Sequence, residues 1–251
     1  MIPIKNEAEI ELMRSAGRSA RFVLEKVAAL VRPGVTTREL DQAAADFMAE
    51  QKCKSAFLGY RGFPGQVCIS VNEEVVHGIG SGRRLQLGDI IKLDVGVNKS
   101  GWIGDTATTV GVGELSPVAT KLMEVTQTAL NVALQHAFSG KRLGDMCSAI
   151  EQSVVSQSFS VVREFVGHGV GKKLHEEPQV PNFGRAGDGP KLKPGMTLAI
   201  EPMVNVGRPG VRVLRDGWTV VTEDGQLSAH FEHTVLITRG EPEILTWSGL
   251  I

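Results

Sequence analysis

The chain has 251 residues, 42% of them hydrophobic and 22% charged, with 27 basic against 28 acidic side chains and a net charge of −1. That length builds a substantial core, and the balanced charge excludes broad affinity for nucleic acid or a membrane surface. Cys53, Cys68 and Cys147 are odd in number and lack CxxC spacing, which excludes a disulfide scaffold and points to reduced thiols in the cytoplasm.

In chain order, the N-terminus is charged too early for a signal peptide, and no apolar run approaches the roughly 18–20 residues of a membrane span. Asn6 is placed to cap a helix that starts at Glu7 and runs towards Val31, with Ile10, Met13, Ala16, Ala20, Val23, Val27 and Leu30 at helical spacing. Pro33-Gly34 ends it, and Thr36 or Thr37 caps a second helix through about Gln51. Residues 57–74, rich in glycine and aromatics, read as irregular; residues 75–80 return to strand character. Two apolar, β-branched strands follow, residues 90–97 and 106–110, joined by a tight turn at Asn98-Lys99-Ser100-Gly101.

The second half repeats this plan. Ser116 caps a helix to about Phe138, Gly140 breaks it, and residues 143–157 form another. Gly34 and Gly140 lie 106 residues apart, and the flanking helices superpose at that offset. The pattern predicts a pseudo-symmetric α/β (α+β) unit, two helix pairs backing a mostly antiparallel sheet, with the site between the halves. No linker or low-complexity tract interrupts the sequence, so residues 1–251 are expected to form one domain.

The residues that ask for chemistry are acids in apolar strands. Asp94 points away from Leu93 and Val95, and Asp105 shares a side with Ala107 and Thr109, so a hairpin can bring both carboxylates to one face. Two unpaired carboxylates at close range repel, and the pair calls for a proton or a cation between them. The second half adds His168, flanked by glycines that let backbone pass close to a bound group and leave the imidazole exposed. Glu201 ends an apolar strand that Pro202 terminates, and Glu232 sits in the middle of a strand spanning residues 228–236. Any one of these acids is equally well explained by an arginine partner or a sheet edge. Four together with a Gly-flanked histidine favour a hard, oxygen-rich site able to hold two divalent cations. His233 points to the other side of its strand from Glu232 and is assigned to packing.

The segments VCISVNEEVVHGIG, KLDVGV, GDTATT, FVGHGVGKKLHEEP, AIEPM, DGWTVVT and FEHT resemble type I methionine aminopeptidases of the pita-bread metallopeptidase fold. The match runs in order over nearly the whole chain, without the long insertion of type II enzymes or the N-terminal domain of Xaa-Pro relatives. The resemblance implies a curved sheet in two pseudo-twofold halves and a hydrolase that removes the initiator methionine from nascent polypeptides when residue two is small. It implies two divalent ions (Co, Mn, Fe or Zn) held by Asp94, Asp105, His168, Glu201 and Glu232, with Asp94 and Glu232 bridging. It makes Glu201 the proton carrier, His175 the group that stabilises the oxyanion, and His77 the group that orients the peptide. Tyr60, Phe63, Cys68 and Trp218 match positions lining the slot for the methionine side chain, where an apolar wall suits a thioether. Asn72, Val95 and Ser228 match positions that hold a monovalent cation in some members. A cytoplasmic monomer in transient contact with the ribosome, without nucleic acid or membrane, completes the expectation.

The sequence departs from the family pattern at Leu174, where an aromatic usually precedes the histidine, and at Phe63, which lacks a hydroxyl. Phe57 is larger than usual, Gly80 replaces a proline, and His230 replaces a glutamine. None removes a ligand; all bear on the pocket and its surroundings. The rivals are a broader or Xaa-Pro-type aminopeptidase of the same fold and a binding protein that has lost catalysis.

Overall fold

Asn6 caps as its position predicts. Its side-chain oxygen accepts from the Glu9 amide while the Glu9 carboxylate accepts from the Asn6 amide, a reciprocal box that opens helix α1, Glu7–Ala28. The structure, a computed structural model, describes residues 1–247. α1 stops short of Val31 because the Leu30 and Val31 amides close tighter bonds onto Val27 and Ala28. Thr36 and Glu39 form a second box that starts α2, Thr37–Glu50.

Three short strands follow: β1 (Lys54–Ser55), β2 (Cys68–Val71) and β3 (Glu74–Val76). The stretch expected to be irregular therefore contains β2. It shows no alternation because all four of its residues are buried. The strand expected over residues 75–80 ends at Val76.

The central hairpin is longer than expected, with β4 (Ile90–Lys99) and β5 (Trp102–Gly111) joined by Ser100 and Gly101 alone. Both turn residues have positive φ, 54° and 82°, the conformation whose twist matches a two-residue hairpin. Helices α3 (Pro117–Leu134) and α4 (Leu143–Val155) follow, α3 capped by Ser116 and both shorter than expected. Then come β6 (Ser160–Val161), β7 (Gly167–Gly169), β8 (Glu176–Val180), β9 (Thr197–Ile200) and β10 (Met203–Asn205). The chain continues through β11 (Val211–Val213), β12 (Val220–Thr222), β13 (Ser228–His230), β14 (Glu232–Leu236) and β15 (Glu243–Ile244).

A nine-stranded sheet runs in the order β1-β4-β5-β14-β9-β7-β8, with β2 on β4 and β15 on β14. Two three-stranded sheets, β13-β10-β6 and β11-β12-β3, flank it. Among the described residues every strand pairing is antiparallel. The halves meet where β5 pairs with β14. One apolar cluster joins α1 and α2 to β2 and β4 (Val23, Leu40, Ile69, Leu93), and another joins α3 and α4 to β9 and β14 (Leu122, Ile150, Leu198, Val235). The expected helix pairs behind a sheet are thus present.

Residues 228–236, expected as one strand, are two strands in different sheets. β9 and β14 pair up to Ile200 and His233, and β10 and β13 resume at Met203 and His230. The two partners bend together at Glu201-Pro202 and Phe231, where proline cannot donate to the ladder. Among the described residues no helix is long and apolar enough to cross a membrane.

Candidate active site and metal centre

The ladder registers place the five candidate ligands on one face in two neighbouring rows. Cys68 pairs with Asp94, Asp94 with Ala107, and Ala107 with Glu232, and directly opposed residues share a face. In the next row Asp105 pairs with Gly96. Its backbone exchanges hydrogen bonds with the Thr234 hydroxyl, whose Oγ1 accepts from Asp105 N at 3.1 Å and donates to Asp105 O at 2.7 Å. Thr234 pairs with Ala199, and Ala199 with His168. Glu201 lies two residues beyond Ala199, and Glu232 opens β14, so both glutamates sit at the shared bend.

The ligand atoms converge. One atom each from Asp105, His168 and Glu232 lie within 4.8 Å of one another. His168 Nε2 is 3.5 Å from Glu201 Oε1 and 3.8 Å from Asp105 Oδ2. Contrary to expectation, the His168 imidazole is buried, at 7% exposure. Its flanking glycines serve the backbone: a Cβ on Gly167 would strike the Ala199 carbonyl and one on Gly169 the Glu177 carbonyl.

Burial and mutual repulsion raise the pKa values of Asp94, Asp105, Glu201 and Glu232 well above the carboxylate range. Asp94 Oδ1, Asp105 Oδ1 and Glu232 Oε1 are buried without a hydrogen-bond partner. Among the described residues no lysine or arginine bridges any of the four acids, and burial pushes His168 down to about 3, so it supplies no charge. Orphaned carboxylate oxygens facing a neutral imidazole are a donor set that fits divalent cations.

A cavity of about 270 Å³ opens over this face. β3 ends at Val76, and His77 adopts a left-handed φ of 59°, a conformation costing of order 1–3 kcal/mol and typical of sites where the surroundings fix it. Its ring lies edge-on to Phe165 and Trp218, with centroids 5.4 and 6.3 Å away. Burial, and then the nearby His175, push His77 down to about 4. His175 Nδ1 is hydrogen-bonded to the Tyr60 hydroxyl at 2.8 Å, and the ring centroid is 4.3 Å from that of His168. Burial, and then Arg61, lower its pKa. Phe63 meets Trp218 edge-on at 5.1 Å. With Tyr60 and Cys68 they line the cavity.

Residues 11–239 match the model of metallopeptidase family M24. The chain belongs to metallopeptidase family M24. A methionine aminopeptidase of Clostridium perfringens is 50% identical over 246 residues, covering 98% of this chain and 99% of that one. Methionine aminopeptidase 1 of Bacillus subtilis is equally similar, at 50% over 246 residues with the same coverage. The crystal structure of methionine aminopeptidase from Thermotoga maritima superposes with a TM-score of 0.97 at 45% identity, over 98% of this chain and 99% of that one. Prolidase from Pyrococcus furiosus, 22% identical, superposes at 0.80 over 98% of this chain and 66% of its own, a likeness of fold alone. The M24 chain has the pita-bread fold expected from its motifs.

Within this M24 site some expectations change. Asn72 and Ser228 do come together, since Ser228 N donates to Asn72 O at 3.1 Å. Val95 does not join them: Asn72 Oδ1 accepts from Ile90 N, and Val95 lies five residues further along β4. A cationic side chain already reaches that place, for Lys92 Nζ donates to Asn72 O at 2.7 Å. Burial pushes Lys92 down to about 7 against the pull of Glu74 and Glu73. Sequence reasoning passed over Lys92, although a lysine inside an apolar strand was signal enough. Phe165 was also missed, despite lying in the quoted FVGHGVG segment.

The other departures have places. Phe57 packs against Gly96, where a Cβ would strike its ring, and Leu174 is buried in the same apolar cluster; both line the cavity. Gly80 lies against Asp41, whose Oδ1 accepts from the Gln66 and Val67 amides. His230 is 1% exposed, with Nε2 3.6 Å from Glu201 Oε2 and neither ring nitrogen hydrogen-bonded. His233 packs as assigned, its Nδ1 hydrogen-bonded to Thr246 Oγ1 at 2.9 Å.

Proposed function

We propose that this chain is a metal-dependent methionine aminopeptidase that hydrolyses the first peptide bond of polypeptides beginning with methionine, favouring a small residue two. The observation that carries the reading is the single sheet face on which four carboxylates and one imidazole crowd without counter-charge, beside an apolar slot. Asp94, Asp105, His168, Glu201 and Glu232 would hold two divalent ions from among Mn, Fe, Co and Zn. Such ions, when bound, supply Lewis acidity and an activated water near neutral pH.

The chain's own groups supply the rest. Glu201 Oε1 faces His168, while Oε2 is directed towards His230. With a pKa raised by burial and by Asp105, Glu201 is suited to take a proton and return it to the leaving amine. His175, tied through Nδ1 to Tyr60, presents Nε2 as a neutral donor to the substrate carbonyl oxygen as negative charge develops there. His77, held by Phe165 and Trp218, orients the scissile amide. Tyr60, Phe63, Cys68 and Trp218 enclose an unbranched thioether and exclude water from it. The nine-stranded sheet draws strands from both halves, which supports one catalytic domain. The same reading makes it a cytoplasmic monomer that meets nascent chains near the ribosome.

The test is hydrolysis by metal-stripped protein after adding back Mn, Fe, Co or Zn, comparing Met-Ala-Ser and Met-Ile-Ser with Leu-Ala-Ser and Ala-Pro-Ser. Metal-dependent cleavage confined to Met-Ala-Ser is expected. Cleavage of the leucine peptide would show a slot loosened around Leu174 and Phe57. Activity on Ala-Pro-Ser alone, or silence of the folded protein with every metal, would overturn the proposal.

A further inference from the structure

Among the described residues Lys92 heads the fully buried side chains by volume, at 1% exposure near the start of β4. It lies two residues before Asp94, on the same face of the sheet. Burying a lysine strips its hydration, and such residues persist only where polar partners receive them. Here the partner is one oxygen, the carbonyl of Asn72, at 2.7 Å from Nζ.

That oxygen is a junction. It also accepts from the amide of Ser228 at 3.1 Å, the first residue of β13. Asn72 itself is left-handed, with φ 54°. Its side chain holds the turn in place: Oδ1 accepts from Ile90 N at 3.0 Å and Nδ2 donates to Asp89 Oδ1 at 2.8 Å. Glu74, which opens β3, accepts from Val71 N at 2.6 Å and pairs with Arg83 at 3.1 Å, adding negative charge near Nζ. One carbonyl thus fastens the β2–β3 turn, the first part of β4 and the start of β13. From those three points the chain leads within a few residues to His77, to Asp94, and to Glu232.

We propose that Lys92 is a positioning residue, a covalently tethered cation that gathers these three segments and so sets Asp94, Glu232 and His77 for reaction. The proposal deepens the aminopeptidase reading and rests on it. Beside the Ser228 amide, the second donor to the Asn72 carbonyl is Lys92 Nζ, a cation that is part of the polypeptide. No free monovalent ion is required there.

The experiment compares metal-loaded wild type, Lys92→Ala and Lys92→Met in the chlorides of choline, potassium and methylammonium at equal ionic strength. Metal content, thermal midpoint, kcat and KM on Met-Ala-Ser are read in each. Wild type is expected to give one kcat in all three salts. Lys92→Ala is expected to lose about 10–100-fold in kcat in choline, as groups that orient metal ligands do, with little change in KM. Potassium or methylammonium enters the vacated space and restores most of it, whereas Lys92→Met fills that space and stays slow in every salt. Full activity of Lys92→Ala in choline would overturn the proposal. So would a loss that no small cation repairs, or a Lys92→Ala protein unfolded in all three salts. Failure of wild type to cleave Met-Ala-Ser would count against the aminopeptidase reading. The thermal midpoint of Lys92→Ala, expected to rise with potassium or methylammonium and not with choline, tests Lys92 independently of turnover.

Discussion

In the first half of the chain Gly34 donates its amide to the Leu85 carbonyl at 2.8 Å, and in the second half Gly140 donates to Leu192 at 2.9 Å. Both glycines are left-handed, at φ 87° and 88°. Two residues on, Thr36 bridges to Arg84 and Arg142 bridges to Lys191. Thr36 with Glu39, and Arg142 with Asp145, each place an acid of the first helical turn on the capping residue's amide. The halves therefore share a scaffold down to single hydrogen bonds. They differ in how they deliver ligands. The first half supplies Asp94 and Asp105 from one hairpin, where a two-residue turn fixes the register. The second supplies His168, Glu201 and Glu232 from three separate elements that only the strand order β14-β9-β7 brings together. A pseudo-repeat thus preserves its frame while one copy builds its share of the site locally and the other by long-range pairing.

The largest expected effect tests whether the two contributions form one site. Asp105→Asn removes an acid of the local half and leaves His168, Glu201 and Glu232 untouched. Turnover is expected to fall by more than about 100-fold, since even residues outside the ligand set cost about 10–100-fold, and bound metal per chain falls with it. Undiminished metal stoichiometry would mean that the second half binds alone. In metal-free protein the sign reverses. The four acids have folded pKa values raised above their unfolded ones, so their stabilising contribution is present at acid pH and lost as pH rises through the raised values. Asp105→Asn removes part of that loss, and the metal-free variant is expected to melt higher than metal-free wild type at neutral pH.

A smaller effect separates backbone approach from side-chain packing. Gly169→Ala drives a methyl into the Glu177 carbonyl, which belongs to the neighbouring strand and cannot step aside. It is expected to cost about 1–3 kcal/mol in thermal or urea unfolding. For Gly96→Ala the nearest atoms all belong to the Phe57 ring, a side chain rather than backbone, and the change is expected to cost less. The reverse order would place the tighter construction in the hairpin. The smallest effect probes the shared frame. Gly34→Ala and Gly140→Ala each enter open space, so each is expected to cost only the left-handed penalty of about 1–2 kcal/mol. Clearly unequal values would show that the two turns match in form but not in energetics.

Much of this was legible in the sequence where the cause is local. Asn6, Thr36 and Ser116 cap the helices they were expected to cap, because capping depends on a few consecutive residues. The side-sharing of Asp94 and Asp105 follows from strand alternation. What stayed hidden depends on partners far away in sequence. β2 shows no periodicity because both its faces are buried. The run 228–236 reads as one strand, yet its break at Phe231 is dictated by Pro202 across the ladder. The flanking glycines of His168 suggest backbone passing close to a bound group and an exposed imidazole, whereas what they admit is the Ala199 and Glu177 carbonyls. Lys92 and Asn72 are twenty positions apart, and nothing in either neighbourhood announces the other.

The two-residue turn between β4 and β5 carries a further consequence. The arms joining it to Asp94 and Asp105 are governed by parity, since a residue gained or lost within one arm turns its aspartate to the opposite face. Two of the intervening residues are fixed in kind as well as in number, because a Cβ at Gly96 would strike the Phe57 ring and one at Gly104 the Ala16 carbonyl. The hairpin thus specifies a count along each arm and one bare backbone position within it.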